Sequence, residues 1–340
     1  MEAKQIIFTQ KDKAELLTVE AAEPKENQVM VKTAFSTISC GTERANITGN
    51  PHVSIMGGSS VKFPRSAGYS SSGVVVKVGE SVTDIAVGDK VVVCCGKHKT
   101  YNTVDRSNVT KIESDKVSME EAAMMYIVTF PLAAIRKTRL EIGESLMVVG
   151  LGILGLLAVE QAKAAGAVPI IAVDPVKERR ELALKAGADY ALDPMEADFV
   201  QKVKRITGNG ANVAIEVTGK GAGLNTALDC MARFGRVALL GCTRESDFTV
   251  DYYHKVHGPG ITLIGAHTQA RPVGESYPGY FTQQDDIKAM LKLCAADRLH
   301  IKELIAETHT PEDCAEVYQR LIFDKNFPPV VQFDWSKLDV

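Results

Sequence analysis

Short apolar runs separated by glycines and polar residues characterise the first third of the chain, up to about residue 112. Examples are QVMVKTAF (28–35), GVVVKVG (73–79) and GDKVVVCC (88–95), and helical periodicity is weak throughout this stretch. Short runs rich in valine and bounded by turn residues are typical of strands. The pattern therefore predicts a compact, mostly β domain.

The pattern changes at Ser118, which is followed three residues later by Glu121. This spacing predicts a capping box that opens an apolar helix through AAMMYIVTF, continuing despite Pro131 and bridging two domains. From Leu146 to about residue 265, apolar strands alternate with amphipathic helices. Such alternation is typical of a parallel sheet covered on both faces, so we expect an α/β fold with a doubly wound sheet.

Regular patterning stops after about residue 270, in the loop RPVGESYPGY (271–280). Two further helices are predicted, one within residues 285–299 and one that starts at Thr310-Pro311. A final β-like run, PPVVQFDW, covers residues 328–335.

Length and charge narrow the classes of function. The chain has 340 residues, 45% of them hydrophobic, which favours two domains over one. A net charge of -3 gives no excess field for nucleic acid or anionic lipid, so we expect a small-molecule substrate, no nucleic acid and no membrane. The N-terminus does not resemble a signal peptide, and no apolar run approaches the roughly 18 residues that span a bilayer, so we expect a cytoplasmic protein. Seven scattered cysteines are interpreted as reduced thiols.

A glycine-rich turn points to a dinucleotide. The segment GLGILG follows the strand LMVV directly and opens a helix, as in the Rossmann fold. Its first glycine permits a tight turn, its second admits the pyrophosphate, and its third lets helix and strand pack, while the helix N-terminus attracts the phosphates. The predicted cofactor-binding residues of this turn are Gly150, Leu151, Gly152, Ile153, Leu154 and Gly155.

Asp174 ends the next strand, 19 residues beyond the last glycine of the turn. A carboxylate there can accept hydrogen bonds from the adenosine ribose and would repel a 2′-phosphate, which favours NAD over NADP. The alternative is that Asp174 caps the helix that follows Pro175. Lys177, Arg179 and Arg180 moderate the preference, and Arg179 is included among the predicted cofactor-binding residues.

The whole pattern resembles the medium-chain dehydrogenase/reductase superfamily, the relatives of alcohol, sorbitol and threonine dehydrogenases. The similarity lies in CGTE (40–43), GYSSSGVV (68–75), VGESVTDIAVGDKV (78–91) and EVTG (216–219). It implies a GroES-like catalytic domain over residues 1–128, an NAD-binding Rossmann domain over 129–268, a return to the catalytic domain over 269–340, and a homodimer. Further cofactor contacts are expected from the ends of later strands, at Val217, Thr218 and Gly241.

The chain departs from that family at its metal ligands. Zinc-containing members use a Cys, a His and a third Cys or Glu; here Cys40 keeps the first place, but Tyr69 and Tyr126 occupy the other two. A thiolate with two phenols is a poor donor set for zinc, and the structural zinc lobe is absent too. We therefore expect no metal. The alternative is an unusual site at Cys40 that recruits His52, Glu43 or His98.

Without zinc, side chains must accept the hydroxyl proton and stabilise the substrate oxygen. His267 can exchange a proton near neutral pH, and Tyr69 and Tyr126 can hydrogen-bond the oxygen. Thr42 matches the family's proton-relay position, although Ala45 stands where the relay's histidine is usual. The predicted catalytic residues are therefore His267, Tyr69, Tyr126, Thr42 and Cys40, and the predicted substrate-binding residues are Glu43, Arg271, Tyr277 and Tyr280.

Three functions follow as alternatives. The first is a zinc-independent, NAD-dependent oxidoreductase that interconverts a secondary alcohol (a polyol, sugar or similar hydroxylated metabolite) and its ketone. The second is a zinc-free quinone or enone reductase, against which Asp174 argues because many such enzymes use NADPH. The third is a nucleotide-binding sensor that has lost catalysis.

Overall fold

The computed structural model describes residues 1–54, 61–246 and 248–338. The chain forms two compact units. The first unit comprises Met1–Ile127, Ile287–Asp297 and Ile305–Val340, and the second comprises Val128–Asp286 and Arg298–Leu304. The first unit is thus assembled from segments that are far apart along the chain.

The strands within the described residues are numbered in chain order. They are β1 (Glu2–Gln10), β2 (Lys13–Glu20), β3 (Gln28–Thr37), β4 (Arg65–Ser66), β5 (Ser70–Val78), β6 (Lys90–Cys94), β7 (Tyr101–Asp105), β8 (Val109–Lys111), β9 (Leu146–Val149), β10 (Ile170–Val173), β11 (Tyr190–Leu192), β12 (Ala211–Glu216), β13 (Met231–Leu239), β14 (Thr262–Gly265), β15 (Glu307–His309) and β16 (Val331–Asp334).

The α-helices of the same residues are numbered likewise. They are α1 (Cys40–Ile47), α2 (Met119–Thr138), α3 (Ile153–Ala164), α4 (Lys177–Lys185), α5 (Phe199–Thr207), α6 (Gly221–Asp229), α7 (Gln283–Ala295) and α8 (Cys314–Phe323). None of the described helices is long and apolar enough to cross a membrane.

The first unit is built on β-sheets, as its valine-rich runs predict. One sheet has the order β15-β16-β3-β5-β6-β8, with β7 also paired to β3, and a smaller sheet has the order β2-β1-β4. Its core joins both ends of the chain, since Phe8 packs with Tyr318, Phe333 and Trp335, all essentially inaccessible to solvent. Burial of these large aromatic side chains is a major source of this unit's stability.

The second unit contains a parallel sheet of the order β11-β10-β9-β12-β13-β14. The central strands β9 and β10 are buried along their whole length, which explains their continuous apolar sequences. The chain leaves β9 toward β10 and later returns to β12, so the strand order reverses beside β9. Such a reversal is where ligands bind in open α/β sheets. The predicted fold class is confirmed.

Helix α2 begins with the predicted capping box. Glu121 N–H donates to Ser118 Oγ at 3.3 Å, and the Ser118 N–H donates to Glu121 Oε2 at 2.9 Å. The helix continues through Pro131 to Thr138 and connects the two units along the chain. The proline is thus tolerated inside the helix, as expected from the apolar pattern around it.

The loop after β14 remains with the second unit. Asp286, fully buried, binds Arg136 Nη1 at 2.5 Å and Arg271 Nη1 at 3.2 Å, which ties the loop and the start of α7 to the end of α2. The first compact unit resumes at Ile287, and the domain boundary expected at residue 269 stays a prediction. Arg136 and Asp286 are 150 residues apart, so no local sequence pattern predicts their pairing.

Candidate active site

The parallel register of the second unit brings several strand ends to one edge of the sheet. Val149 is opposite both Val173 and Glu216, and Leu239 is opposite Glu216 and Gly265. The segments that follow these strands therefore lie along the same carboxyl edge. They are the glycine turn, Asp174, Val217-Thr218, Gly241 and His267.

The glycine turn has the backbone geometry that its sequence predicts. Gly150 adopts a φ of 98°, a left-handed conformation that glycine adopts without strain. A Cβ at Gly155 would lie 1.9 Å from the carbonyl oxygen of Gly150, so only glycine allows helix α3 to pack this closely. A Cβ at Gly152 would meet nothing within 4 Å. The turn therefore has no room for a side chain at Gly155, whereas the space next to Gly152 is unoccupied by protein atoms.

These features fit a dinucleotide. Gly152 is the N-cap of α3 and supplies no side-chain acceptor, so the first N–H groups of the helix are available to phosphate oxygens. Ile153 and Leu154 would contribute backbone N–H groups, while Leu151, whose N–H donates to Asp174, and Ile153 bury their side chains inside the unit. The turn can hold a pyrophosphate on backbone donors and the helix dipole.

Asp174 is buried and organises the turn itself. Its Oδ2 accepts from Leu151 N–H at 2.9 Å and its Oδ1 from Val176 N–H at 2.8 Å. Arg179 Nη1 lies 3.8 Å from Oδ2, whereas Arg180 donates to the carbonyl oxygens of Asp174 and Pro175. The carboxylate thus binds the glycine turn and the backbone two residues on, with Arg179 as its basic neighbour, and it does not cap α4, whose N-cap is Val176.

The loops that follow β12 and β13 pack closely against each other. The carboxylate of Glu216 accepts from Thr218 N–H at 2.7 Å and from the Thr218 hydroxyl. Burial raises the pKa of Glu216, while its hydrogen bonds to Thr218 and Gly219 act against that shift. A Cβ at Gly241 would lie 2.3 Å from the Gly219 nitrogen, so Gly241 permits close packing of the two loops. Val217 and Thr218 remain partly accessible at this edge.

His267 lies just beyond β14 and is half-buried. Its Nδ1 accepts from Gln269 N–H at 3.2 Å, which favours the ring form that carries its proton on Nε2. Burial, aided by the positive charge of Lys137, lowers the pKa of His267. The imidazole is therefore neutral at neutral pH and presents Nε2–H as a donor.

The loop residues predicted to bind substrate differ from one another. Arg271 donates to the carbonyl oxygen of Thr268 at 2.9 Å and pairs with Asp286, so its guanidinium anchors the loop. Tyr277 and Tyr280 are exposed and stacked, with ring centroids 5.2 Å apart and planes 27° apart. The two tyrosines, rather than Arg271, offer accessible hydrogen-bonding groups.

In the first unit, the two tyrosines at the expected ligand positions are in contact. The rings of Tyr69 and Tyr126 meet edge to face, with centroids 5.3 Å apart. The Tyr69 hydroxyl donates to Ser39 Oγ, and the Tyr126 hydroxyl lies 3.8 Å from Cys95 Sγ. Burial, with smaller contributions from Cys95 and other neighbours, raises the pKa of Tyr126, so this phenol remains protonated.

Cys40 and Thr42 lie at the start of α1 and were predicted, like the two tyrosines, from the resemblance to the family. Cys40 Sγ lies 3.5 Å from the carbonyl oxygen of Pro329, within reach of a thiol hydrogen bond. Thr42 is half-buried on the same helix. Cys94 is buried, whereas the next residue, Cys95, is exposed and has a φ of 58°.

These side chains do not fit a zinc ion. Within the described residues, no group of three His, Cys, Asp or Glu side chains is placed to hold a metal. His98 cannot help, because its Nδ1 lies 2.7 Å from Ser36 Oγ and its Nε2 3.1 Å from Glu43 Oε2. His52 is exposed. A single thiol with two protonated phenols lacks the nitrogen and sulfur donors that zinc prefers.

Glu43 also differs from its predicted role as a substrate ligand. Only 2% of the residue is exposed, and the carboxylate accepts hydrogen bonds from Ser39, His98 and Tyr318. We therefore assign Glu43 to the interior of the first unit rather than to substrate contact. Sequence reasoning missed Ser39 and Tyr318, and only the adjacency of Ser39 to Cys40 could have drawn attention to it.

The predicted catalytic residues are divided between the units. Cys40, Thr42, Tyr69 and Tyr126 belong to the first unit, and His267 belongs to the second. Lys137, which sequence reasoning also missed, lies in the second unit and donates to the carbonyl oxygen of Gly265 at 3.2 Å. Its influence on His267 depends on a contact between α2 and β14 that no local pattern indicates.

Two family models match successive parts of the chain. Residues 25–124 match the alcohol dehydrogenase GroES-like domain, and residues 154–294 match the family described as zinc-binding dehydrogenase. L-threonine 3-dehydrogenase of Pyrococcus horikoshii is 32% identical over 280 residues, 74% of this chain and 79% of that protein. D-guloside 3-dehydrogenase of Escherichia coli K12 is 30% identical over 255 residues, 74% of this chain and 71% of that protein.

A solved structure shares the whole fold. The crystal structure of 2R,3R-butanediol dehydrogenase from Bacillus subtilis has a TM-score of 0.82 and 24% sequence identity, and the similarity covers 98% of this chain and 99% of that one. Together with the two family matches, the relatives and the glycine turn, this similarity identifies the chain as an alcohol dehydrogenase-like oxidoreductase that belongs to the medium-chain dehydrogenase/reductase superfamily.

Proposed function

We propose that the protein is a zinc-independent, NAD-dependent dehydrogenase that interconverts a secondary alcohol and its ketone by hydride transfer. The observation that carries this proposal is the Tyr69–Tyr126 contact at two positions where zinc-containing relatives place metal ligands. The Tyr126 hydroxyl, and the Tyr69 hydroxyl once its hydrogen turns away from Ser39 Oγ, would donate hydrogen bonds to an oxygen that develops negative charge. They can thus replace part of what a Lewis acid supplies.

Asp174 supports NAD over NADP. Its carboxylate lies at the carboxyl edge beside the glycine turn and is held in place by Leu151 and Val176. A ribose hydroxyl can donate to it, whereas a 2′-phosphate would meet a like charge. Bound NAD supplies the hydride acceptor. Arg179, 3.8 Å from the carboxylate, offsets part of the repulsion.

His267 is the proposed proton-handling group. Its lowered pKa keeps the ring neutral, the form that can accept a proton from an alcohol. In the ring form that the Gln269 N–H favours, Nε2–H would donate a hydrogen bond to the substrate oxygen. Acceptance of the alcohol proton at Nε2 would require the other ring form, with the hydrogen on Nδ1, and would therefore break the hydrogen bond from Gln269. Thr42 and Cys40 complete the proposed set.

The substrate class is a polyol, a sugar or a similar hydroxylated metabolite. Exposed Tyr277 and Tyr280 supply hydroxyl groups in the loop after β14. The named relatives are dehydrogenases of L-threonine and of a D-guloside, both hydroxylated compounds. We further propose a homodimer, because β14 is an edge strand whose second side is available for pairing with another copy.

A substrate screen combined with metal analysis tests the proposal. The purified protein is assayed with NAD and a panel of polyols and sugars, and with NADPH and quinones or enones, before and after chelator treatment. We expect NAD-linked alcohol oxidation that survives chelation, with substoichiometric zinc by elemental analysis. Stoichiometric zinc whose removal abolishes turnover contradicts zinc independence. Activity confined to NADPH and enones supports the reductase alternative, and cofactor binding without any turnover supports the sensor.

A further inference from the structure

A buried polar network surrounds Glu43 in the first unit. The carboxylate accepts from Ser39 N–H at 2.9 Å on Oε1, while His98 Nε2 lies 3.1 Å from Oε2 and the Tyr318 hydroxyl also donates to Oε2. His98 and Tyr318 are completely inaccessible to solvent. A buried carboxylate is tolerated when several donors satisfy it, and here the chain itself supplies three.

The ring of His98 is fixed at both nitrogens. Nδ1 lies 2.7 Å from Ser36 Oγ, which in turn accepts from Trp335 Nε1 at 2.7 Å. The ring also packs edge to face against Phe333, with centroids 5.5 Å apart. Rotation of this imidazole would break hydrogen bonds on two sides, so the network holds it in one orientation.

His98 supports the backbone on which Tyr69 is mounted. A Cβ at Gly68 would lie 2.6 Å from the His98 nitrogen and 2.7 Å from its Cγ, so the histidine lies directly against this glycine. His98 N–H donates to the carbonyl oxygen of Ala67, and Cys95 N–H donates to that of Tyr69, both at 2.9 Å. The segment 95–98 therefore holds the main chain on either side of Gly68.

Glu43 supports the other end of the same tyrosine. The Tyr69 hydroxyl donates to Ser39 Oγ, and the Ser39 backbone is held by the Glu43 carboxylate. The main chain just before Tyr69 thus packs on His98, its hydroxyl is held through Ser39 by Glu43, and Glu43 and His98 bind each other. We propose that the buried Glu43–His98 pair is a positioning element for Tyr69, which directs the phenol toward the substrate oxygen.

This role rests on the proposed function of Tyr69 as a donor to that oxygen. A misplacement of about 1 Å at a reacting group can cost roughly 100-fold in rate. Neither Glu43 nor His98 needs to touch the substrate for such an effect, because both act through Ser39 and Gly68. Loosening the pair should therefore slow hydride transfer and leave NAD affinity unchanged.

A double-mutant cycle distinguishes positioning from general destabilisation. Tyr318→Phe removes one donor to Glu43 while keeping the ring that packs against Phe8, and His98→Gln loosens the pair directly. Each is made alone and together with Tyr69→Phe, and single-turnover hydride transfer, KM for NAD and thermal unfolding are measured. Tyr318→Phe preserves the core shape, so it remains informative if His98→Gln fails to fold.

We expect each network variant to lower the rate constant of hydride transfer by roughly 10- to 100-fold with unchanged KM for NAD, and to have no further effect when Tyr69 is already Phe. Equal losses in both backgrounds, or no loss in Tyr318→Phe, overturn the proposal. If Tyr69→Phe alone retains full activity, the proposed function of Tyr69 fails first. If Tyr69→Phe is impaired and the cycle is additive, only the positioning role fails.

Val109→Ala provides a control in the same unit. Val109 is fully buried in an apolar cluster with Val29 and Ile85, which contains none of Glu43, His98 and Tyr69. Loss of this packing should lower the unfolding temperature without changing hydride transfer in either background. A slower transfer in this control would mean that reduced stability alone explains the network variants.

Discussion

The ring of Tyr69 meets that of Tyr126 at an angle of 89°, with the centroids 5.3 Å apart. Each hydroxyl has a separate neighbour, Ser39 for Tyr69 and Cys95 for Tyr126. The two phenols therefore pack as one aromatic pair but differ in their hydrogen bonding. This difference makes their contributions to catalysis separable by removal of one oxygen at a time.

Tyr69→Phe should lower the rate constant of hydride transfer by roughly 10- to 100-fold, because it removes one hydrogen bond to an oxygen that becomes charged. Tyr126→Phe should have a smaller effect, since its hydroxyl is buried beside a thiol. Both rate constants are measured in single-turnover experiments that follow the absorbance of the reduced cofactor. Tyr190→Phe, at an exposed position on β11, is the control and should match the wild type. Unchanged rates in both test variants would mean that Tyr69 and Tyr126 serve only to fill space.

His267→Ala should lower kcat by roughly 100- to 10,000-fold while leaving NADH affinity nearly unchanged, because it removes the group that we propose to handle the proton. His267→Gln refines the test, since the amide can still donate a hydrogen bond but cannot titrate. Equal losses in the two variants indicate proton transfer, and retention of most activity in His267→Gln indicates donation only. If His267→Ala keeps the wild-type kcat and pH profile, the histidine is structural.

Lys137 should set the acid limb of the pH profile. Its positive charge disfavours protonation of His267 and contributes to the lowered pKa of that ring. Lys137→Met removes the charge, so the pKa of His267 should rise and activity should be lost at a higher pH as the solution is acidified. Lys137→Arg keeps the charge and serves as the control. The measurement is kcat/KM for the alcohol as a function of pH, and identical limbs in all three proteins would exclude this coupling.

Asp174→Ala should weaken NAD binding by roughly 10- to 100-fold and lower the preference for NAD over NADP. It should also lower the unfolding temperature, because the N–H groups of Leu151 and Val176 lose their acceptor. Calorimetric titration with both cofactors and a thermal melt measure these effects. Asp193→Ala removes an acceptor for Arg180 in the same unit and should leave the cofactor ratio unchanged. Tighter binding of NADP by the wild type would indicate that Arg179 dominates the pocket.

Glu307 should make the stability of the first unit depend on acid pH. Hydrogen bonding by Arg320, with a further contribution from His309, lowers the pKa of Glu307 to about 2. Because the folded pKa lies below the unfolded value of about 4.3, the stabilisation is present above that value and is lost as the pH falls toward 2. Glu307→Gln should therefore be less stable than the wild type at pH 5, and the difference should shrink toward pH 2.

Urea unfolding at several pH values tests this dependence. Asp115→Asn is the control, since Asp115 pairs with Lys90 but its side chain is 96% exposed, and such pairs contribute little. A constant difference between the wild type and Glu307→Gln over this range would mean that the pair does not account for acid sensitivity.

Local patterns were sufficient for the second unit. The apolar runs predict β9 and β10, and the glycine spacing predicts the turn, because each depends on residues that are neighbours in the sequence. Helix α1 was missed because CGTERANI contains a glycine and only isolated buried positions, with no continuous apolar stripe. Its few helical signals could not outweigh the β-rich stretch around it.

Long-range contacts account for the features that the sequence did not predict. Glu43 and His98 are 55 residues apart, and Glu43 and Tyr318 are 275 apart, so nothing in the sequence indicates that they share a site. The family pattern identified Glu43 but not its burial. The pairing of Asp286 with Arg136, 150 residues away, was not predictable for the same reason.

The position of β16 between β15 and β3 has a consequence for biosynthesis. The second unit is nearly continuous along the chain, so it can collapse while the ribosome is still adding the later segments. In the first unit, residues 35–37 of β3 lack a partner on one side and the core lacks Phe333 and Trp335 until β16 has been synthesised. The sheet of the first unit therefore stays incomplete for longer during synthesis than the sheet of the second unit.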